Sequence, residues 1–262
     1  MNYEPSAEAA RTWQTEKVMF LDSKEFINST TKFLKGAVPG TDKQYDAHKI
    51  SADLVEMLFA ELNDSTGVHV ETALATLGAL AGFSGQMAIR EELVKSGKVS
   101  EDKAFAIVRT KNGESYYFGD LLNEILFQSK PGSLSIYSIV AGAAQQSGAK
   151  ELPDMTDIAG HVARTVGSDS FGAPRVPPRH LPKKSTIALL DRFWNPVRNF
   201  LVINTPSPGQ WPFVLALAAQ KVIFMAKGVI DPAVAAKIVM ETAAPMTNMD
   251  PAKVHFAHFH PY

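Results

Sequence analysis

Three histidines, His255, His258 and His260, fall within six residues in the stretch HFAHFHPY. His255 and His258 would share one helix face, and neutral imidazoles bind transition metals. The stretch offers no carboxylate to complete a coordination shell. No biological metal site is therefore expected, and Phe256 and Phe259 docking on the core is the simpler reading. With no cysteine in the chain, thiolate nucleophiles, disulfides and cysteine zinc sites are excluded.

Other polar groups sit where a site would need them. His69 and Glu71 precede a long apolar stretch and Arg90 follows it. Polar groups beside a core need partners, and they become chemical groups where a pocket opens. His161 lies three residues before Arg164, a spacing that suits anion binding on one helix face. Gly167–Lys184 (GSDSFGAPRVPPRHLPKK) concentrates Arg175, Arg179, His180, Lys183 and Lys184 among four prolines. Proline-stiffened chain displays such cations at low entropy cost, ready to dock a partner or grip phosphate or carboxylate. Against this stands a structural reading, which is preferred. Residues 51–100 hold seven acidic and three basic residues, and 171–200 hold six basic and one acidic, so the arm is expected to pair with the acidic region of its own chain or of a second subunit.

The familiar short motifs are absent. There is no Walker loop, G-x-G-x-x-G, H-E-x-x-H, G-x-S-x-G or EF-hand pattern, so nothing commits the chain to catalysis or to a cofactor. The net charge of −1 and a basic cluster without interleaved aromatics argue against nucleic acid.

Helices must position these residues. Val68–Val94 carries no charge between Glu71 and Arg90, the pattern of a helix buried on all sides. Gly78, Ala81, Gly82 and Gly85 form a small-residue patch within it, where another helix can approach closely. Three uncharged stretches reach the ~18 residues of a membrane-span candidate. Their glycines, glutamines and prolines, and the lack of an aromatic belt, favour core helices instead. The first eighteen residues carry scattered charges and no apolar run, so a cytoplasmic location is expected.

Further helices are expected at Ser6–Gln14, about Lys24–Lys35 with Gly36 as its stop, Asp46–Leu62, Leu121–Gln128, Leu134–Ser147, 154–166 and Ser185–Trp194. Proline-led starts place others at Val197–Ile203, Pro212–Lys227, Pro232–Thr242 and a short one from Pro251. The only convincing β signal is a hairpin within 104–119, turning at Asn112-Gly113 through a type I′ turn.

The fold class is mainly α: one domain over 1–262, about ten helices bundled around buried Gly/Ala-rich ones, with a peripheral β-hairpin near 104–118. The arm 167–184 is the only candidate sub-boundary. Two functional expectations follow. The first is a protein acting by association, as a homodimer or with a partner, through the 167–184 arm. The second is an enzyme or binder for an anionic small molecule in a cleft beside helix 68–95, using His69, Glu71, Arg90, His161, Arg175 and Arg179.

Overall fold

The computed structural model describes residues 35–37, 44–127 and 134–254. The tail histidines and the expected helices at 6–14 and 24–34 lie outside them. Among the described residues there are nine α-helices: α1 Ala47–Leu62, α2 Val70–Ile89, α3 Glu101–Ala104, α4 Asp120–Phe127, α5 Ile136–Gln146, α6 Met155–Thr165, α7 Thr186–Asn204, α8 Trp211–Met225 and α9 Pro232–Asn248. Three antiparallel strand pairs decorate them: β1 Lys35–Ala37 with β2 Gln44–Asp46, β3 Asn63–Asp64 with β4 Gly67–Val68, and β5 Ala106–Arg109 with β6 Ser115–Phe118. The mainly helical fold with a peripheral hairpin is as the sequence implies.

α2 is the axis. Every residue from Thr72 to Ile89 is buried, and the helix is enclosed by α1, α7, α8 and α9. Although long and apolar enough to cross a membrane, it is wholly covered by the protein's own helices, as a soluble protein's core helix is. The small-residue patch does what its composition implies. A β-carbon at Gly78 would lie 2.5 Å from the Val239 carbonyl oxygen, and one at Gly82 would lie 2.9 Å from Ala243 Cα. α2 and α9 therefore touch backbone to backbone, an approach closed to any larger residue. Gly85 faces the Ile125 side chain of α4 instead.

The main partner of α2 is not one of the uncharged stretches. α9 reads as amphipathic and broken, with Lys237, Glu241, Thr242 and Pro245, yet it is buried continuously from Ile238 to Asn248. Contrary to the expected stop near Thr242, it runs through Pro245; likewise α7 runs through Pro196, where two helices were expected. Proline in a helix interior costs about 3 kcal/mol. Burial of a whole helical face outweighs that cost, and Thr242 and Thr247 donate their hydroxyls to carbonyls of the preceding turn. At the end of α9, Gln86 Nε2 of α2 donates to the Thr247 and Met249 carbonyls, at 3.0 and 3.2 Å.

Local signals place the remaining ends. Asp46 caps α1, Asp154 caps α6, Ser185 caps α7 and Asp231 caps α9; Ser135 and Ser138 form a capping box on α5. Two expectations are corrected. Lys35 belongs to a strand rather than a helix end, because Lys35–Ala37 satisfies its backbone by pairing with Gln44–Asp46. The β5–β6 turn is not type I′: Thr110 N–H donates to Glu114 O and Gly113, at φ 81°, closes a three-residue loop, the form with a left-handed glycine. The hairpin sits on a small satellite core of Ile89, Ala104, Phe105 and Leu122.

Three helices run in the same direction. Gly78 meets Val239 and Gly82 meets Ala243, so α9 is parallel to α2. Lys183 meets Thr72 and Trp194 meets Phe83, so α7 is parallel to α2 as well. The N-termini of α2 and α9 and the turn from α8 into α9 accordingly share one end of the bundle, where Lys183 of the arm meets the start of α2.

Candidate functional site

The six residues expected to matter occupy three separate places. Arg90 stands alone at the far end of α2, about 30 Å of helix from His69. It bonds Glu101 at 2.6 Å and lies over the rings of Phe105 and Tyr117, at 4.8 and 4.3 Å. It pins the hairpin to the axial helix and opens onto no shared cleft with the others.

The second place is the root of the arm. Arg175 Nε donates to Glu241 Oε2 at 3.1 Å, and its backbone N–H reaches the same oxygen at 3.2 Å. Its Nη2 lies 2.7 Å from Glu241 Oε1, at an angle that makes this an ion-pair contact rather than a hydrogen bond. The outer edge of the guanidinium holds Asp157 of α6 at 2.8 Å. Glu241, with its side chain 1% exposed, is the innermost carboxylate of this cluster. A buried charge survives only when paired, so Arg175 is a structural counter-ion. Burial works against the Arg175 charge, but hydrogen bonds to Glu241 and Asp157 outweigh it and raise its pKa. His161 sits beside this pair with a buried Nε2 that makes no hydrogen bond. Burial, then the Arg175 charge, hold its pKa below the ordinary value.

The third place is where the arm crosses the start of α2. His69 is the N-cap: its Nδ1 accepts from the Thr72 backbone N–H at 3.3 Å and contacts Thr72 Oγ1 at 2.8 Å. Glu71 Oε2 faces His69 Nε2 at 3.4 Å, and its Oε1 faces His180 Nδ1 of the arm at 2.8 Å. Arg179 Nε donates to His180 Nε2 at 3.1 Å. Burial pushes the Glu71 carboxyl up, but the His180 hydrogen bond, its own backbone N–H and the two imidazoles bring it below the usual range. Lys183 completes the seam: its N–H donates to Thr72 Oγ1 at 2.9 Å and its Nζ meets Asp64 at 2.7 Å. Arg192 of α7 reaches Glu61 in the same sense. The arm thus meets the acidic 51–100 region of its own chain through His180 and Lys183, while Arg175 pairs outside it with Asp157 and Glu241.

Between the arm and the hairpin tip is a cleft of about 650 Å³, a size that suits a small ligand. Lys183, Lys184, Lys253, Ser168, Ser185, Glu114 and Tyr116 are among its lining. Lys253 is paired with Glu114 and Lys183 with Asp64, which leaves Lys184 as the lining lysine without an ion-pair partner among the described residues. Tyr116 donates to Glu114 at 2.9 Å; burial, then that carboxylate, push its pKa up to about 12. No group of three His, Cys, Asp or Glu among the described residues is arranged to hold a metal ion.

Sequence reasoning missed Glu241, Asp157, Asp64 and Thr72. Glu241 had a signal, as the only charged residue in the run 238–246. Asp64, Asp157 and Thr72 had none, since their roles depend on which surface the arm crosses.

Among the described residues nine large apolar side chains are exposed; Phe224 (40%), Met225 (63%) and Val229 (72%) surround the turn from α8 into α9, and Leu181 (44%) and Ile187 (38%) line the cleft beside the hairpin tip. Gly228, at the apex of the turn, faces open space. Comparison with protein-family models, curated proteins and solved structures finds no match to this chain.

Proposed function

We propose that this protein acts by association, forming a homodimer through the end of the bundle that carries the arm. The observation that carries this reading is the exposure of Phe224, Met225 and Val229 around the turn from α8 into α9, with Leu181 of the arm and Ile187 of α7 exposed as well. Monomeric proteins seldom expose large contiguous apolar patches, and an interface centre is enriched in Phe and Met. The arm contributes Leu181 directly, while Arg175, His180 and Lys183 hold it in place. Deleting the arm would therefore be a poor test, because it would strand the Glu241 carboxylate. Surface substitution is the clean one. Light scattering over a wide concentration range is expected to give a dimer, and Met225→Glu with Val229→Glu a folded monomer. A wild-type chain that stays monomeric throughout, or a dimer indifferent to those substitutions, would overturn the proposal.

A second reading rests on the cleft, whose unpartnered Lys184 lies beside the N-terminus of α7, where a helix dipole favours an anion. It takes a small phosphate or carboxylate ligand there, in place of one beside α2. Thermal shift with phosphate and citrate is the test: stabilisation lost in Lys184→Glu supports it, and no shift in the wild type sinks it.

A further inference from the structure

We infer that the cleft between the arm and the hairpin tip is the seat of this chain's own segment 255–262, whose Phe256 and Phe259 pack on its apolar side. The inference stands whether or not the protein dimerises.

Lys253 lines the cleft and stands two residues before the segment HFAHFHPY. The root of the segment is fixed to the hairpin at three points. Lys253 pairs with Glu114, Met249 bridges Tyr116 of β6, and Asn248 Nδ2 donates to the Tyr117 carbonyl at 2.6 Å. A short helical turn, Pro251–Lys253, capped by Asp250, then leads into the buried Val254. An extended chain advances at most about 3.6 Å per residue, so Phe256 lies within about 11 Å of Lys253 and Phe259 within about 22 Å. The cleft falls inside that reach. The exposed patch at Phe224, Met225 and Val229 lies beyond Phe256, at the other end of α9, a helix about 25 Å long.

The chemistry of the segment matches that of the cleft. Phe171, Pro182 and Ile187 give the cleft an apolar side, and Ile187 of α7 is 38% exposed. Phe256 and Phe259, spaced three apart, would present both rings on one face of a helical turn. The segment carries no lysine or arginine to be repelled by Lys184 and Lys253. Its polar side chains are histidines, and Asn112 and Asp169 of the cleft can accept from imidazole N–H groups. A cleft of about 650 Å³ has the volume that a small ligand fills, which suits two aromatic side chains and their backbone. A ligand entering beside Lys184 would have to displace the segment first.

A photo-reactive residue in the full chain tests this. p-Benzoylphenylalanine in place of Phe259 keeps an aromatic ring there, and ultraviolet light joins it to the groups it touches. Mass spectrometry is expected to place the cross-link within 112–116, 167–174 or 181–187, with the yield falling several-fold in Ile187→Glu. That variant keeps its fold, because the side chain is exposed and a carboxylate suits the first turn of α7. Mixing with heavy-isotope chain that lacks the photo-reactive residue shows whether the cleft belongs to the same molecule or to a second copy. A cross-link to the heavy chain, to β5 or to the Phe224–Val229 turn overturns the inference. So does the absence of any cross-link, or a yield that Ile187→Glu leaves unchanged.

Discussion

Replacing Gly82 with alanine tests the architecture at its tightest point. Alanine gains about 1 kcal/mol over glycine in helix propensity, so an unobstructed site would be stabilised. At Gly82 the new β-carbon would lie 2.7 Å from the Ala243 carbonyl carbon and 2.9 Å from its Cα. These are main-chain atoms of a buried helix, and neither side of the contact has a rotamer to yield. Overpacking costs about 1–3 kcal/mol, and with backbone on both sides the upper end or beyond applies. The balance is a net loss of about 2 kcal/mol, or roughly 4–8 °C in Tm for a domain of this size. Gly85→Ala is the internal control, because the atoms nearest its β-carbon would all belong to the Ile125 side chain, the closest being Cγ2 at 3.1 Å. That contact is with a side chain that needs to shift by only a few tenths of an ångström, not with backbone, and the gain in helix propensity offsets it, so stability within about 0.5 kcal/mol of wild type is expected. Urea and thermal denaturation of the three proteins give the answer. If Gly82→Ala were as stable as wild type, or Gly85→Ala equally damaging, the close α2–α9 crossing would be wrong.

Arg175→Ala should cost about 3 kcal/mol at pH 7 by stranding the Glu241 carboxylate, and adding Glu241→Gln should recover much of it in a double-mutant cycle. Arg90→Ala should cost about 1–2 kcal/mol through its ion pair and two ring contacts, with hydrogen-exchange protection lost first over residues 106–118. His161, whose pKa is lowered in the fold, contributes stability that is fully present above the ordinary histidine value and is lost as pH falls below it. The urea midpoint of the wild type should therefore drop more between pH 7.5 and 5.5 than that of His161→Gln, and equal drops would contradict this.

Local chemistry was enough to read much of the fold. Asp46, Asp154, Ser185 and Asp231 announce helix starts because a short polar side chain caps free N–H groups wherever the helix later packs. The uncharged run in α2 announces burial because no water-seeking group interrupts it, and its glycines announce a close neighbour. What no local signal carries is the identity of that neighbour. α9 is disguised by Glu241 and Pro245, whose costs are met by Arg175, 66 residues away in the chain, and by packing over the whole helix. The site followed the same division. Residues with chemical potential could be picked out one by one as His69, Glu71, Arg90, His161, Arg175 and Arg179. Arg90 falls on a hairpin, Arg175 on a buried carboxylate, and His180 joins Glu71 instead. Those pairings are set by the path of the arm across the bundle, and a path is fixed by the sum of long-range contacts rather than by any residue's neighbours in sequence.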